Sequence, residues 1–377
     1  MSGSKRQSWE TMARDPRGTL TPVQRYITQP AAYAALRTAL MPAHIFPLPT
    51  VLRAAKTLGR SFGGARFNKK RVSLAVRRLE VAFPEMDEAQ RHNLVMQSYE
   101  HLVMLATELA VTPRLLSEDA WTDYVEIGNL QEAMPHLLND RPTLLLTGHC
   151  GNWEIVGYTM ALLGFNMHAI YRPLDLRLAD DWVRQSRSRR GLDLLDKFGA
   201  MRAMPELMAN KESVAFVADQ NAGDRGLQVP YFGRLASSYK SIGLTALQFN
   251  ANILIGQARR LPTKPGSTQT MRYRIEVVDQ FASEDWESQP DPLFYITARY
   301  RRSIEHMIRN SPEQYLWMHR IWKSRPRHER LNKPFPDALK AKLKSLPWMT
   351  DEELAKIIDR SDQDRAYMQE HNITHFK

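Results

Sequence analysis

From Arg141 onward, short apolar runs alternate with amphipathic stretches. TLLLTG (143–148) reads as a buried strand entered after Pro142, followed by a helix over 153–163 and a strand over 166–171. The alternation continues with a helix over 177–190, a helix over 202–210 and the strand SVAFVAD (213–219). A helix over 239–250 leads to the strand ILIGQARR (253–260), and MRYRIEVV (271–278) shows strand alternation. Strand–helix alternation of this kind predicts an α/β fold, with a mixed, largely parallel central sheet covered by helices. Before it, residues 71–111 read as helices, with Glu88 opening a long one that carries Leu94, Val95, Tyr99, Leu102, Leu105 and Leu109 at helical spacing. After Pro292 the pattern returns to helix over 293–310 and 313–322, and the charged tail 333–377 also reads as helical. The expected division is a basic N-terminal segment 1–70, a central domain 71–330 and a charged helical tail 331–377.

Charge sharpens the N-terminal part. The 377 residues carry a net charge of +11. Between Asp15 and Glu80 there is no acidic residue, while twelve Lys and Arg side chains fall in that interval. The rest of the chain is close to neutral, so one segment points toward a polyanion or an anionic surface. Within it, Leu48 to Phe62 winds as a basic amphipathic helix, with Val51, Leu52, Ala55, Leu58 and Phe62 near one face and Arg53, Lys56 and Arg60 off it. Such a helix serves equally as a surface helix packed on a core or as an interfacial helix on anionic lipid. No stretch reads as a membrane span, because uncharged runs such as 38–52 and 241–258 are short or interrupted by prolines and amides. MSGSKRQSWETMARD lacks the apolar core of a secretory signal. A single cysteine, Cys150, excludes an internal disulfide framework and multi-cysteine metal sites.

The candidate chemistry gathers at strand ends. Gly148-His149-Cys150-Gly151-Asn152-Trp153-Glu154 sits where the strand 143–148 gives way to a helix, the position at which open α/β sheets place ligands. His149 can act as a general base, and Glu154 can accept from its other ring nitrogen and fix the tautomer. A helix start there supplies backbone N–H groups for an anion. The bland alternative is a turn histidine with a glutamate in a first helical turn. Zinc fits poorly, since the spacing is not H-E-x-x-H, and adjacent Cys150 and His149 do not form a thiol–imidazole pair readily. Tyr171-Arg172-Pro173 ends the next strand and offers a guanidinium for phosphate or carboxylate. Arg184, Arg187, Arg189 and Arg190 stud the following helix, more often the mark of a solvated face. Asp219-Gln220-Asn221 ends a third strand. Three polar side chains, His149, Arg172 and Asp219, at three strand ends form a constellation. Trp317 and Trp322, in SPEQYLWMHRIWK, suit either core packing or contact with lipid or an acidic partner.

Taken together, GHCGNWE, YRP, the RSRRG run, ADQNAGDRGLQVPYFG and SPEQYLWMHRIWKSRP resemble the bacterial lipid A biosynthesis acyltransferases, within the wider lysophospholipid acyltransferases. Order and spacing agree over about residues 45–327. The resemblance implies transfer of a fatty acyl group from a thioester, on acyl carrier protein or coenzyme A, to a hydroxyl of a lipid A-type glycolipid or lysolipid. It implies His149 and Glu154 as a catalytic dyad, with Arg172, Asp219, Gly151, Asn152, Gln220 and Arg189 binding substrate or the oxyanion. No metal, no other cofactor and no covalent acyl-enzyme are expected, and nucleic acid is not an expected partner. The expected place is the cytoplasmic face of the inner membrane, held peripherally through residues 16–79. Other lysophospholipid, glycerol-phosphate or mannolipid acyltransferases, or a lipid-binding relative without activity, remain open on the same residues.

Overall fold

The computed structural model describes residues 20–376 apart from 189–190, 198 and 264–268, so Arg189 lies outside the described residues. Helices come first: α1 Gln29–Leu40, α2 Pro42–Ile45, α3 Leu48–Gly64, α4 Lys69–Ala82 and α5 Glu88–Leu115. α5 opens on a capping box, with Asp87 accepting from Gln90 N and Gln90 accepting from Asp87 N. Such a cap adds about 1 kcal/mol to helix stability. α3 lies directly on α5, because Gly59 has no side chain to strike the Tyr99–Glu100 backbone. Leu52 and Ala55 of α3 are buried in that contact, and Lys56 and Arg60 reach Glu100. The other side of the N-terminal region faces water with Tyr26, Ile27, Ile45, Phe46, Leu58 and Phe67 exposed. No helix among the described residues is long and apolar enough to cross a membrane.

The α/β part follows as β1 Val125–Ile127, α6 Leu130–Leu137, β2 Thr143–Thr147, α7 Trp153–Leu162, β3 Met167–Tyr171, α8 Arg177–Ser188, β4 Leu192–Asp196, α9 Ala200–Ala209 and β5 Ser213–Val217. Next come β6 Leu227–Tyr231, β7 Arg234–Ser238, α10 Lys240–Phe249, β8 Asn252–Arg260, β9 Tyr273–Phe281, α11 Ser283–Trp286 and α12 Pro292–Asn310. The main sheet has the order β1-β9-β8-β2-β5-β3-β4. Its pairs are parallel except β8 with β9. The largely parallel sheet expected from the sequence is therefore present, with helices before and after it. β1, β4 and the separate β6–β7 hairpin were not anticipated.

The expected helix over 313–322 is not formed. Pro312–Gln314 makes one 3-10 turn, and Tyr315 then runs extended to form a bridge with Cys150. The backbone is drawn out because it binds the turn after β2: Gly151 N donates to Gln314 O and Leu316 N to His149 O. Trp317 fills the core beneath, its indole N–H on Pro312 O. The chain ends with α13 Arg327–Arg330, α14 Asp337–Lys344 and α15 Asp351–Glu370. α15 buries Leu354 and Ile357, and its Asp364 binds Arg234 and Arg325 inside the protein.

Candidate active site

β2 and β5 are neighbours in register, Thr147 beside Val217. One residue beyond, Ala218 N donates to Thr147 O at 2.8 Å, extending the ladder. The chain ends that leave the two strands are thereby held side by side. His149 Nδ1 and Asp219 Oδ1 meet at 2.7 Å, although 70 residues separate them. Asp219 is fully buried, and the His149 side chain keeps 17% of its surface in contact with solvent. Burial raises the Asp219 carboxyl, but the His149 charge and hydrogen bond, with His319 and Arg301, outweigh it and hold the group well below the ordinary carboxylate range. Arg301 is itself buried and anchors on Ala218 O at 3.1 Å, beneath the site.

Glu154, expected on His149, is elsewhere. Its Oε1 accepts from Trp153 Nε1 at 3.1 Å and pairs with Arg187. Position two of α7 turns the carboxylate toward α8, where Arg187 lies in the last turn. Asp219 therefore occupies the place expected for Glu154, and the expected contact is corrected accordingly.

With Nδ1–H donated to Asp219, His149 presents the lone pair of Nε2. Gln220 Nε2 lies 3.4 Å from it and 3.2 Å from His319 Nδ1. An amide N–H donates, so both imidazoles accept from Gln220, and His319 carries its proton on Nε2. The two rings lie 4.7 Å apart, centre to centre. Burial, then the His149 and Arg78 charges, lower the His319 imidazolium to about 4, so this ring is neutral near pH 7. His319 was not singled out from the sequence. Its signal was a histidine flanked by tryptophans in a block that otherwise reads as core.

The turn itself is braced from below by α5. Gly151 has φ +65°, and a Cβ there would collide with Ala258 O. His101 Nε2 donates to Gly151 O at 2.9 Å. Seven residues along the same helix, Glu108 accepts from Arg260 at 2.5 Å, from Tyr273 at 2.5 Å and from Asn152 Nδ2 at 3.2 Å. Asn152 Oδ1 in turn caps α7 through Ile155 N. These contacts also correct the expected oxyanion donors. Gly151 N is taken by Gln314 O and Asn152 N by Ala258 O, so neither N–H faces a ligand.

Behind His149 lies a cavity of ≈ 800 Å³ between α7 and the sheet. Its lining is mostly apolar, and includes Val156 and Met160 of α7 with Leu192 and Leu194 of β4. Ala169 and Ala215 lie side by side on β3 and β5, so small side chains leave the room beneath α7. Arg172, at the end of β3, also lines the cavity, and makes no ion pair among the described residues. Cys150 is buried with its thiol pushed far up by burial, and Sγ lies 3.6 Å from Ser311 O, in the core rather than the cavity. Among the described residues no group of three or more His, Cys, Asp or Glu side chains converges as a metal site.

Comparison with known proteins gives one consistent result. The family described as bacterial lipid A biosynthesis acyltransferase matches residues 23–324. The chain is similar to the lipid A biosynthesis palmitoleoyltransferase of Escherichia coli K12, 26% identical over 266 residues, covering 69% of this chain and 81% of the relative. It is 25% identical to the lipid A biosynthesis lauroyltransferase of the same organism over 289 residues, 74% of this chain and 87% of the relative. A lipid A biosynthesis acyltransferase of Haemophilus influenzae is 24% identical over 284 residues, 74% and 86% of the two chains.

Proposed function

The chain belongs to the bacterial lipid A biosynthesis acyltransferase family, and from that premise we propose that it moves a fatty acyl chain from a thioester to a hydroxyl of a lipid A-type glycolipid. The observation that carries the mechanism is the 2.7 Å His149–Asp219 pair at the mouth of an apolar cavity. The acyl chain lies in the cavity and its thioester carbonyl sits at His149. Nε2 of His149 displaces its contact with Gln220 and takes the proton of the acceptor hydroxyl. Asp219 stabilises the imidazolium that forms. The alkoxide attacks the thioester carbon, and Arg172 offsets the charge on its oxygen. Collapse breaks the carbon–sulfur bond, and the thiolate leaves with the proton from His149. Acyl carrier protein and coenzyme A both present the thioester this chemistry needs. Neither a metal nor an acyl-enzyme enters the scheme, and the buried Cys150 thiol takes no part.

Purified His149→Ala should retain its fold and lose turnover by orders of magnitude, read by mass spectrometry of the ester product. Activity close to the unmodified protein would sink the mechanism. The exposed apolar side chains of residues 26–67, set among Arg25, Arg37 and Arg53, support docking on the cytoplasmic face of the inner membrane. Replacing Phe46 and Leu58 by Glu should weaken sedimentation with anionic vesicles, and unchanged binding would place the membrane contact elsewhere.

A further inference from the structure

A second cavity, of ≈ 890 Å³, begins at the residue after His319. It is bounded by α4, by the segment 320–323 and by α15 with the chain end. Its character is opposite to the first. Six cations line it, against the carboxylates of Glu80 and Asp364. Asp364 is already committed to Arg234 at 2.6 Å, Arg325 at 2.8 Å and Arg360 at 3.5 Å. Arg77, Arg320 and Lys323 make no ion pair among the described residues, and Glu80 makes none either. Arg78 is buried in the wall and donates to Trp317 O at 3.3 Å. Burial and the nearby Arg320 charge lower Arg78 to about 10, so the two guanidinium groups repel each other across the cleft. Like charges converging in a concave site are relieved by a bound anion. Guanidinium forks beside an ammonium suit the several oxygens of a phosphate better than a single carboxylate.

The cleft and the apolar cavity are linked through His319, which precedes Arg320 in the chain and whose ring lies 4.7 Å from that of His149, a lining residue of the apolar cavity. Arg78 acts electrostatically on His319, whose ring faces His149. An anionic group resting on Arg320 is therefore anchored one residue from the imidazole that faces His149. We propose that the cleft of Arg77, Arg78, Arg320 and Lys323 is a phosphate site, which holds a phosphate of one of the two substrates and so aligns it on His149. The proposal rests on the acyl-transfer reading above. The phosphate belongs either to the glycolipid headgroup or to the carrier of the thioester.

The test uses the full chain and an Arg320→Gln, Lys323→Gln double variant, both positions being exposed, with thermal unfolding as the check on folding. Calorimetry with inorganic pyrophosphate at fixed ionic strength needs no turnover. Saturable binding is expected, weakened about tenfold or more in the double variant and unchanged in His149→Ala. Binding that does not saturate, or that the double variant leaves intact, overturns the proposal. Kinetics then assign the phosphate. A rise in KM of about tenfold for a phosphorylated glycolipid, absent for its dephosphorylated form, places it on the acceptor. A rise confined to the thioester places it on the donor. Equal rises with and without phosphate on both substrates overturn the site. Pyrophosphate binding with no acyl transfer from any donor–acceptor pair leaves the site standing and removes the acyl-transfer reading instead.

Discussion

Asp219→Asn isolates the contribution of the carboxylate. Asparagine keeps the shape and removes the charge beside His149 Nδ1. At 2.7 Å, with an effective dielectric constant of about 20, a carboxylate and an imidazolium attract by about 6 kcal/mol. Part of that survives in the neutral hydrogen bond, so losing the charge alone costs less than the full figure. A second effect adds to it. An asparagine amide donating to Nδ1 would place the ring proton on Nε2, the nitrogen that must accept from the substrate. Loss of charge together with the wrong tautomer predicts a fall in turnover of about 10³–10⁴, or roughly 4–5.5 kcal/mol of barrier. Single-turnover release of thiol from an acyl thioester, alongside the ester product, measures it directly, with KM for both substrates little changed. Glu154→Gln is the control: it alters the contact with Arg187 and leaves the His149–Asp219 pair in place, so its loss should be smaller. Turnover by Asp219→Asn within about tenfold of the unmodified protein, or a greater loss in Glu154→Gln, would refute the assignment.

Two further expectations follow from the surroundings of the site. Glu108→Ala strands the Arg260 charge in the interior and releases Tyr273 and Asn152. It should destabilise the protein by about 3–5 kcal/mol in denaturant titrations. A loss below about 1 kcal/mol would show that the network does not brace the turn. Ala215→Phe closes part of the cavity. Each methylene shut out forfeits about 0.8 kcal/mol, so exclusion of two should shift preference toward shorter acyl thioesters by about tenfold. An unchanged chain-length profile would move the acyl chain out of this cavity.

The parts of the site that could be read from the sequence were those fixed by local pattern. TLLLTG, HAIYRP and SVAFVAD each announce a buried strand with chemistry at its end, and a parallel sheet gathers such ends on one edge. Pairing within that edge follows strand order, which local pattern does not encode. Glu154 lies five residues from His149, yet its place in the first turn of α7 aims it at Arg187, whereas β5 lies against β2 and delivers Asp219. The same limit hid Glu108, whose only mark was a lone carboxylate in the apolar stretch MLATELAV. The β6–β7 hairpin escaped for a different reason. Its two-residue turn, Phe232-Gly233, has φ +53° and +67°, a conformation usually signalled by Asn-Gly or Asp-Gly. Here the left-handed Phe232 is held by burial among Phe83, Trp317 and Trp322, with its N–H on Glu305 at 2.5 Å. Trp317 belongs to the segment that hydrogen-bonds the turn carrying His149. The strained hairpin and the expected but unformed helix over 313–322 thus have one cause. Aromatic side chains that at helical spacing suggest a helix face are used instead to wedge an extended chain against His149, which places His319 opposite the His149 ring.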